Sequence, residues 1–275
     1  DIQALIDRLL CRLFDELLGV EVALPIPRMG YDEAMARYGS DRPDTRFELF
    51  IRDVSEEASK TDFQVFSKAV EGGGVVRGLC VPGGTSLSRK DIDGCESIAK
   101  SFGAKGLAWA KIEAEGAKGP IAKFLGEQGE AALREAFDAK EGDLLLMVAD
   151  KASVAATSLG EVRLHLGEKL DLIPEGRFDL LWITDFPLLE WSEEDQRYYA
   201  CHHPFTSPRT EDLELLDEKP GEVKARAYDI ILNGIELGGG SIRIHRQDVQ
   251  AKVFDAIAMS EEEAREKFGF LLDAL

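Results

Sequence analysis

Apolar residues recur at i, i+3 and i+4 from the start of the chain. Ile2, Leu5, Ile6, Leu9, Leu13, Phe14 and Leu17 predict an amphipathic helix over 1–18, stopped at Gly19. Residues 20–29 carry Pro25 and Pro27, which predicts an edge strand or extended arm. A short helix is expected over 31–38, followed by a polar turn over 39–44 with Pro43 as a breaker. From about 48 to 170, strand and helix patterns alternate. Residues 63–66 and 75–81 predict paired strands around Gly72-Gly73-Gly74. Ser88 with Asp91 predicts a capped helix that ends at Gly103. Strands are expected over 106–113 and 143–149, and helices over 121–137 and 153–166.

The character changes at 178. Residues 178–187 predict a buried strand ending in a proline, 190–196 a polar turn, and 198–201 a strand leading into His202-His203-Pro204-Phe205-Thr206. A charged connection over 209–222 follows. Residues 228–237 and 241–245 alternate as strands on either side of Gly238-Gly239-Gly240. A helix over 248–258 and a capping box at Ser260-Glu261-Glu262-Glu263 close the pattern. Strands 179–186, 198–201, 227–237 and 241–245 would form one antiparallel sheet, with the middle region inserted in it.

An apolar content of 44% over 275 residues supports a normal buried core. Net charge is −19, which disfavours nucleic acid as a partner of the chain as a whole but leaves a local basic patch open. No run of about 18 apolar residues predicts a membrane helix, and no signal-peptide pattern opens the chain. Cys11, Cys80, Cys95 and Cys201 stand far apart, as expected for reduced thiols in a cytoplasm rather than a zinc site. The first helix is under way at residue 1, and an apolar face still runs through Phe268, Leu271, Leu272 and Leu275. These ends predict a piece of a longer protein.

The chemistry concentrates in 228–245. Asp229 and Glu236 stand seven apart, and Arg243 follows seven later. Side chains seven apart on a regular strand face opposite ways, so Gly234 or a bulge must shift the register if the acids converge. The acids are hard donors of the kind that hold Mg²⁺ on a nucleotide's phosphates, and would equally suit a solvated strand face. Arg243 between Ile242 and Ile244 suits a carboxylate gripped through two parallel hydrogen bonds, or a surface salt bridge. Of His202 and His203, alternation sends at most one into a site. Binding of phosphate, orientation of a carboxylate, metal ligation and plain structural hydrogen bonding all fit them. His165 reads as a lone surface or capping histidine, and Pro82-Gly83-Gly84-Thr85 as a glycine turn or a phosphate nest.

Seven stretches carry a resemblance in order: Tyr38-Gly39-Ser40-Asp41-Arg42-Pro43-Asp44, Val81-Pro82-Gly83-Gly84, Phe102-Gly103-Ala104-Lys105-Gly106-Leu107-Ala108, Ile121-Ala122-Lys123-Phe124-Leu125, His202 through Pro208, residues 228–245, and residues 266–275. The chain resembles the middle-to-late part of bacterial-type aspartyl-tRNA synthetases over nearly all its length. The resemblance implies an α+β fold: part of the class II synthetase antiparallel sheet with flanking helices, interrupted by an inserted α+β domain. It implies catalytic-domain parts over 1–47 and 171–275, and an insert over 48–170 shared with amidotransferase B subunits.

It also implies aspartate binding by His202 and Arg243, ATP binding by Glu236, and Mg²⁺ at Asp229 and Glu236. The implied partners are aspartate, ATP and tRNA(Asp), with tRNA(Asn) as a further candidate, in a cytoplasmic enzyme that dimerises with itself at full length. The family's anticodon-binding barrel and its first and second class II motifs are missing, and the third would begin after Leu275. The 275 residues alone are therefore expected to be inactive. A second reading is a non-catalytic tRNA- or synthetase-binding module centred on the insert.

Overall fold

In the computed structural model, which describes residues 2–273, the opening apolar pattern is a helix, α1 (Ile2–Leu18). Gly19 ends it with φ +65°, and the Gly19 and Val20 amides return to the Asp15 and Phe14 carbonyls. The expectations about residue 1 and Leu275 lie outside the described residues. Then come β1 (Arg28–Gly30), α2 (Tyr31–Tyr38), β2 (Arg52–Asp53), α3 (Ser55–Ala58), α4 (Gln64–Glu71), β3 (Val75–Val81) and α5 (Arg89–Ser101). These are followed by β4 (Ala108–Glu113), β5 (Gly116–Lys118), α6 (Ala122–Phe137), β6 (Leu144–Asp150) and α7 (Ala152–Lys169). The later elements are β7 (Leu180–Thr184), β8 (Leu189–Ser192), β9 (Arg197–Ala200), α8 (Leu215–Glu218), β10 (Ala227–Leu232), β11 (Ile235–Ser241), α9 (Gln247–Ala256) and α10 (Glu261–Leu272).

The chain divides into two compact units. One takes the residues up to Asp32, then Leu180–Leu232, then Glu236 onward; the other takes Glu33–Asp179 and Asn233–Ile235. The first unit holds a four-stranded sheet in the order β1-β7-β10-β11. β1 runs parallel to β7, and β10 pairs antiparallel with it from Tyr228↔Thr184 to Leu232↔Leu180. Alternation puts Leu180, Trp182, Tyr228, Ile230 and Leu232 on one face, where they pack with Ile6, Leu10, Phe14 and Ile26. Asp7 is buried in that face because the Trp182 Nε1–H donates to its Oδ1 at 2.7 Å. Burying the indole without that acceptor would leave a polar N–H unpaired.

Several strand expectations change here. Residues 198–201 fall outside the main sheet: β9 pairs with β8 in a two-stranded ribbon, so the polar turn begins later than 190. Pairing within 20–29 is confined to β1 and is parallel. Regular pairing ends at Ser241, and Arg243 makes only an isolated bridge to Thr206. The stretch 228–237 is not one strand but two, turning at Asn233-Gly234. Both turn residues have positive φ, 53° and 83°, which is what a two-residue hairpin with the right-handed twist of its strands requires. Asn-Gly between apolar alternations is a strong sequence signal for that turn. It outweighs the continuous alternation.

The second unit is a five-stranded sheet in the order β2-β3-β6-β4-β5, paired antiparallel throughout. Both faces are covered, which explains the unbroken apolar run of β6. Leu144, Leu146 and Val148 join α5 and α7 residues in one core cluster, while Leu145 and Met147 join Phe66, Leu125, Leu133 and Phe137 in another. Residues 63–66 are not a strand. They open α4, where Phe63, Phe66 and Val70 follow helical spacing onto the second cluster; β3 pairs instead with β2 and β6. The Ser88–Asp91 capping box forms in full, whereas at Ser260 the side chain accepts from the Glu263 amide.

Candidate functional site

Asp229 lies in mid-β10, opposite Ile183 of β7 and half-buried. The two-residue turn sets Ile231 across from Glu236, and Ile231 shares its face with Asp229 two residues away. The odd spacing of the acids is therefore resolved by chain reversal: both carboxylates belong to one face of a hairpin. Glu236 is exposed.

The glycine run serves the same carboxylate. A Cβ at Gly239 would overlap Asp229 Oδ1, far inside van der Waals contact, and one at Gly240 would sit 3.2 Å from the Tyr228 ring. Gly239 is thus the cradle that lets the Asp229 carboxylate lie against the backbone of β11. Among the described residues no three His, Cys, Asp or Glu side chains are placed to hold a metal. A site built on Asp229 and Glu236 supplies two carboxylates, which suits Mg²⁺ that keeps water and takes phosphate oxygens, and does not suit a closed all-protein cage.

Arg243 and the segment that follows the histidine pair, Phe205–Ser207, meet through backbone pairing. The Ser207 amide donates to Ile242 O at 2.8 Å, the Ile244 amide to Phe205 O at 2.9 Å, and the Thr206 and Ser241 hydroxyls are 3.3 Å apart. Two motifs some forty residues apart in sequence become neighbours this way. Arg243 is exposed, and its guanidinium has no hydrogen-bond or ion-pair partner among the described residues. His202 is exposed, with its ring edge-on to Phe186 at 4.8 Å. His203 differs. Its Nδ1 accepts from the Phe205 amide at 3.2 Å, and its ring sits near Phe205 and Phe268. Burial, and then the Arg243 charge, push the His203 imidazole below its ordinary pKa. The structure therefore puts His203 in the field of Arg243, a role that alternation could not assign between the two histidines.

Neither of two cavities in the first unit is lined by the four predicted residues. One of about 390 Å³ lies among Gln250, Phe254, Met259 and Arg265; one of about 850 Å³ lies among Arg28, Asp185, Arg209 and Arg226. The candidate phosphate nest is filled from within: the Asp143 carboxylate accepts from the Gly83 amide at 3.1 Å and the Lys140 amide at 2.8 Å. That loop is a carboxylate-braced glycine turn. His165 is half-buried in α7.

Arg163 escaped sequence reasoning. It is 1% exposed, its guanidinium lies 3.8 Å from the Phe47 ring centre, and it donates to the carbonyls of Asp44, Phe47 and Leu49 at 2.8–3.0 Å. An arginine within the helical pattern of 153–166 gives no sign that it points inward. Burial pulls its pKa down to about 10, which leaves it charged at neutral pH.

The chain is similar to known proteins along its whole length. The family model for class II tRNA synthetases (D, K and N) matches residues 1–275. Proteins named aspartate–tRNA(Asp/Asn) ligase from Bacillus anthracis, Bacillus thuringiensis (strain Al Hakam) and Bacillus mycoides (strain KBAB4) are each 54% identical over 275 residues, covering 100% of this chain and 46% of the relative. The chain thus spans about half the length of the curated relatives it matches. No helix among the described residues is long and apolar enough to cross a membrane. With a partial antiparallel sheet flanked by helices and a match along its whole length, the chain belongs to the class II tRNA synthetases of the aspartate, lysine and asparagine group.

Proposed function

We propose that these residues form part of the catalytic region of an aspartate–tRNA ligase. The enzyme would join aspartate to ATP as aspartyl-adenylate, release pyrophosphate, and pass the aspartyl group to the terminal ribose hydroxyl of tRNA(Asp), with tRNA(Asn) as a second acceptor. The observation that carries the reading is Arg243, an exposed guanidinium with no partner among the described residues, beside the His202–Pro208 motif in a chain of net charge −19. A guanidinium grips a carboxylate through two parallel N–H bonds and offers far less to the neutral amide of asparagine. It would hold the side-chain carboxylate of aspartate, with His202 at the same substrate.

Asp229 and Glu236 would hold Mg²⁺, and Glu236 would also face ATP. The ion, when bound, supplies positive charge against the phosphates. The protein's own part is positioning: the Gly239 cradle fixes Asp229, and the hairpin fixes Glu236 on the same face. Residues 48–170 would be an inserted domain between catalytic parts, the whole enzyme a cytoplasmic homodimer, and the 275 residues alone inactive.

Aspartate-dependent ATP–pyrophosphate exchange by the natural polypeptide that carries this chain tests the assignment. Arg243→Gln should lower kcat/KM for aspartate at least ~100-fold, and Arg243→Lys should not restore it, since about 3 kcal/mol rides on the fork geometry. Exchange left intact in Arg243→Gln would overturn the assignment. Exchange by the isolated 275 residues would overturn their proposed inactivity.

A further inference from the structure

The tip of the hairpin that carries Asp229 and Glu236 belongs to the second compact unit, not to the first. Asn233, Gly234 and Ile235 group with Glu33–Asp179. The grip on the tip is specific. Asn233 uses its backbone amide and both ends of its side chain. Its N–H donates to Asp179 O at 3.2 Å, its Oδ1 accepts from the Asp179 amide at 2.8 Å, and its Nδ2 donates to Arg177 O at 2.9 Å. Gly234 completes the fit, since a Cβ there would stand 3.3 Å from Asp44 Cβ at a φ of 83°.

The bonds continue inward. The Asp179 carboxylate accepts from Thr45 Oγ1 at 3.2 Å and Arg177 Nε at 2.8 Å. Arg177 Nη1 donates to Arg46 O at 3.3 Å, and Arg46 forks onto the Asp44 carboxylate at 2.6–3.2 Å. The Asp44 carbonyl accepts in turn from the buried Arg163 of α7. Residues 44–46 and 177–179, which these bonds join, flank the expected insert of 48–170.

A hairpin's turn sets its register, and a slip of one residue moves every side chain on the slipped strand to the other face. Glu236 lies two residues past Gly234 and Asp229 four before Asn233, spans of about 7 and 13 Å at strand rise. Resting on the reading of those acids as the Mg²⁺ pair, we propose that Asn233 is a positioning residue: its three bonds to Arg177 and Asp179 hold the turn and so fix the register in which Asp229 and Glu236 share a face.

The test uses the natural polypeptide that carries this chain, with Asn233→Gly, Asn233→Asp and Glu236→Gln. Asn233→Gly keeps the positive φ and removes both side-chain bonds. Asn233→Asp keeps the shape and turns the Nδ2 donor into an acceptor facing Arg177 O, and it replaces Asn233→Gly should that variant fail to fold. Hydrogen exchange of peptides over 227–241, the urea midpoint, and the Mg²⁺ concentration that half-saturates ATP binding by calorimetry are measured. The expected result for the Asn233 variants is at least ~10-fold faster exchange over 227–241, a several-fold higher Mg²⁺ requirement, and a urea midpoint shifted by less than about 0.5 M. Glu236→Gln should raise the Mg²⁺ requirement with exchange unchanged. If Glu236→Gln raises it and the Asn233 variants do not, the positioning role is overturned while the metal reading stands. If Glu236→Gln leaves it unchanged, the metal reading fails and takes the positioning role with it.

Discussion

Replacing Arg163 by methionine should cost the second unit about 3–5 kcal/mol, the range for breaking a buried charge–acceptor set by removing one side of it. Arg163 is one of the largest fully buried side chains, and the three carbonyls that it serves belong to Asp44, Phe47 and Leu49, which are 3–5% exposed. Methionine fills similar length and keeps contact with Phe47, so the transfer loss is small. The loss lies in hydrogen bonds to a charged donor, each worth about 1.5–3 kcal/mol net, reduced because the cation no longer has to be desolvated. That desolvation is real here: burial is the leading cause of the fall in the Arg163 pKa to about 10. Lysine should also fail, at roughly 2–4 kcal/mol, because a point charge neither forks onto separate carbonyls nor lies flat on Phe47. Urea unfolding followed by circular dichroism is the assay. With an m-value of about 2 kcal/mol/M the Met variant should lose 1.5–2.5 M in midpoint. A loss below about 0.5 M would mean that water or a relaxed loop satisfies the carbonyls, and that Arg163 does not hold residues 44–49.

Three further outcomes follow from the site and its surroundings. Gly239→Ala should displace the Asp229 carboxylate, because the new methyl overlaps Oδ1; in the natural polypeptide it should raise the Mg²⁺ requirement for ATP binding in calorimetry, and an unchanged requirement would count against the cradle. The His203 pKa, followed by NMR, should lie below 6.5 and move up in Arg243→Gln as one of its two causes is removed. Because the folded value is depressed, the unfolded chain binds the proton more tightly, so the His203 contribution is complete above about pH 6.5 and declines as pH falls through the window beneath it. Burial raises the Cys95 and Cys201 thiols to about 11 and Cys80, helped by the nearby Asp143 carboxylate, to about 12. These three should react with a thiol reagent at pH 8 far more slowly than in urea; equal rates would refute their burial.

The second unit shows where sequence patterns suffice. Its helices at 89–101, 122–137 and 152–169 and its strands at 75–81, 108–113 and 144–150 carry periodicities that tertiary packing reinforces. The failure at 63–66 is instructive. Four residues with three apolar positions fit either period, and only the later Val70 reveals the helical face that meets Phe137 and its neighbours. Pairing was the weaker inference throughout. β9 carries a strand pattern, but nothing in its composition says that its partner is β8 rather than the main sheet.

The hairpin of β10 and β11 makes the same point at the site itself. Residue types alone place an acid pair, a glycine run and an arginine in one segment, and leave their convergence to Gly234 or a bulge. The irregularity is a whole reversal at Asn233-Gly234, legible as a turn dipeptide but masked by apolar alternation on both sides. Its second feature was not legible at all. An asparagine chosen for positive φ would need only its backbone, yet Asn233 spends both side-chain ends on residues 177–179, more than fifty positions away in sequence. Aspartate would tolerate the same φ and glycine would adopt it freely, but neither can both accept from one amide and donate to a carbonyl two residues away. The demand for an amide at this position therefore comes from Arg177 and Asp179 and not from the turn, and that is why local sequence rules identify the bend while missing what holds it.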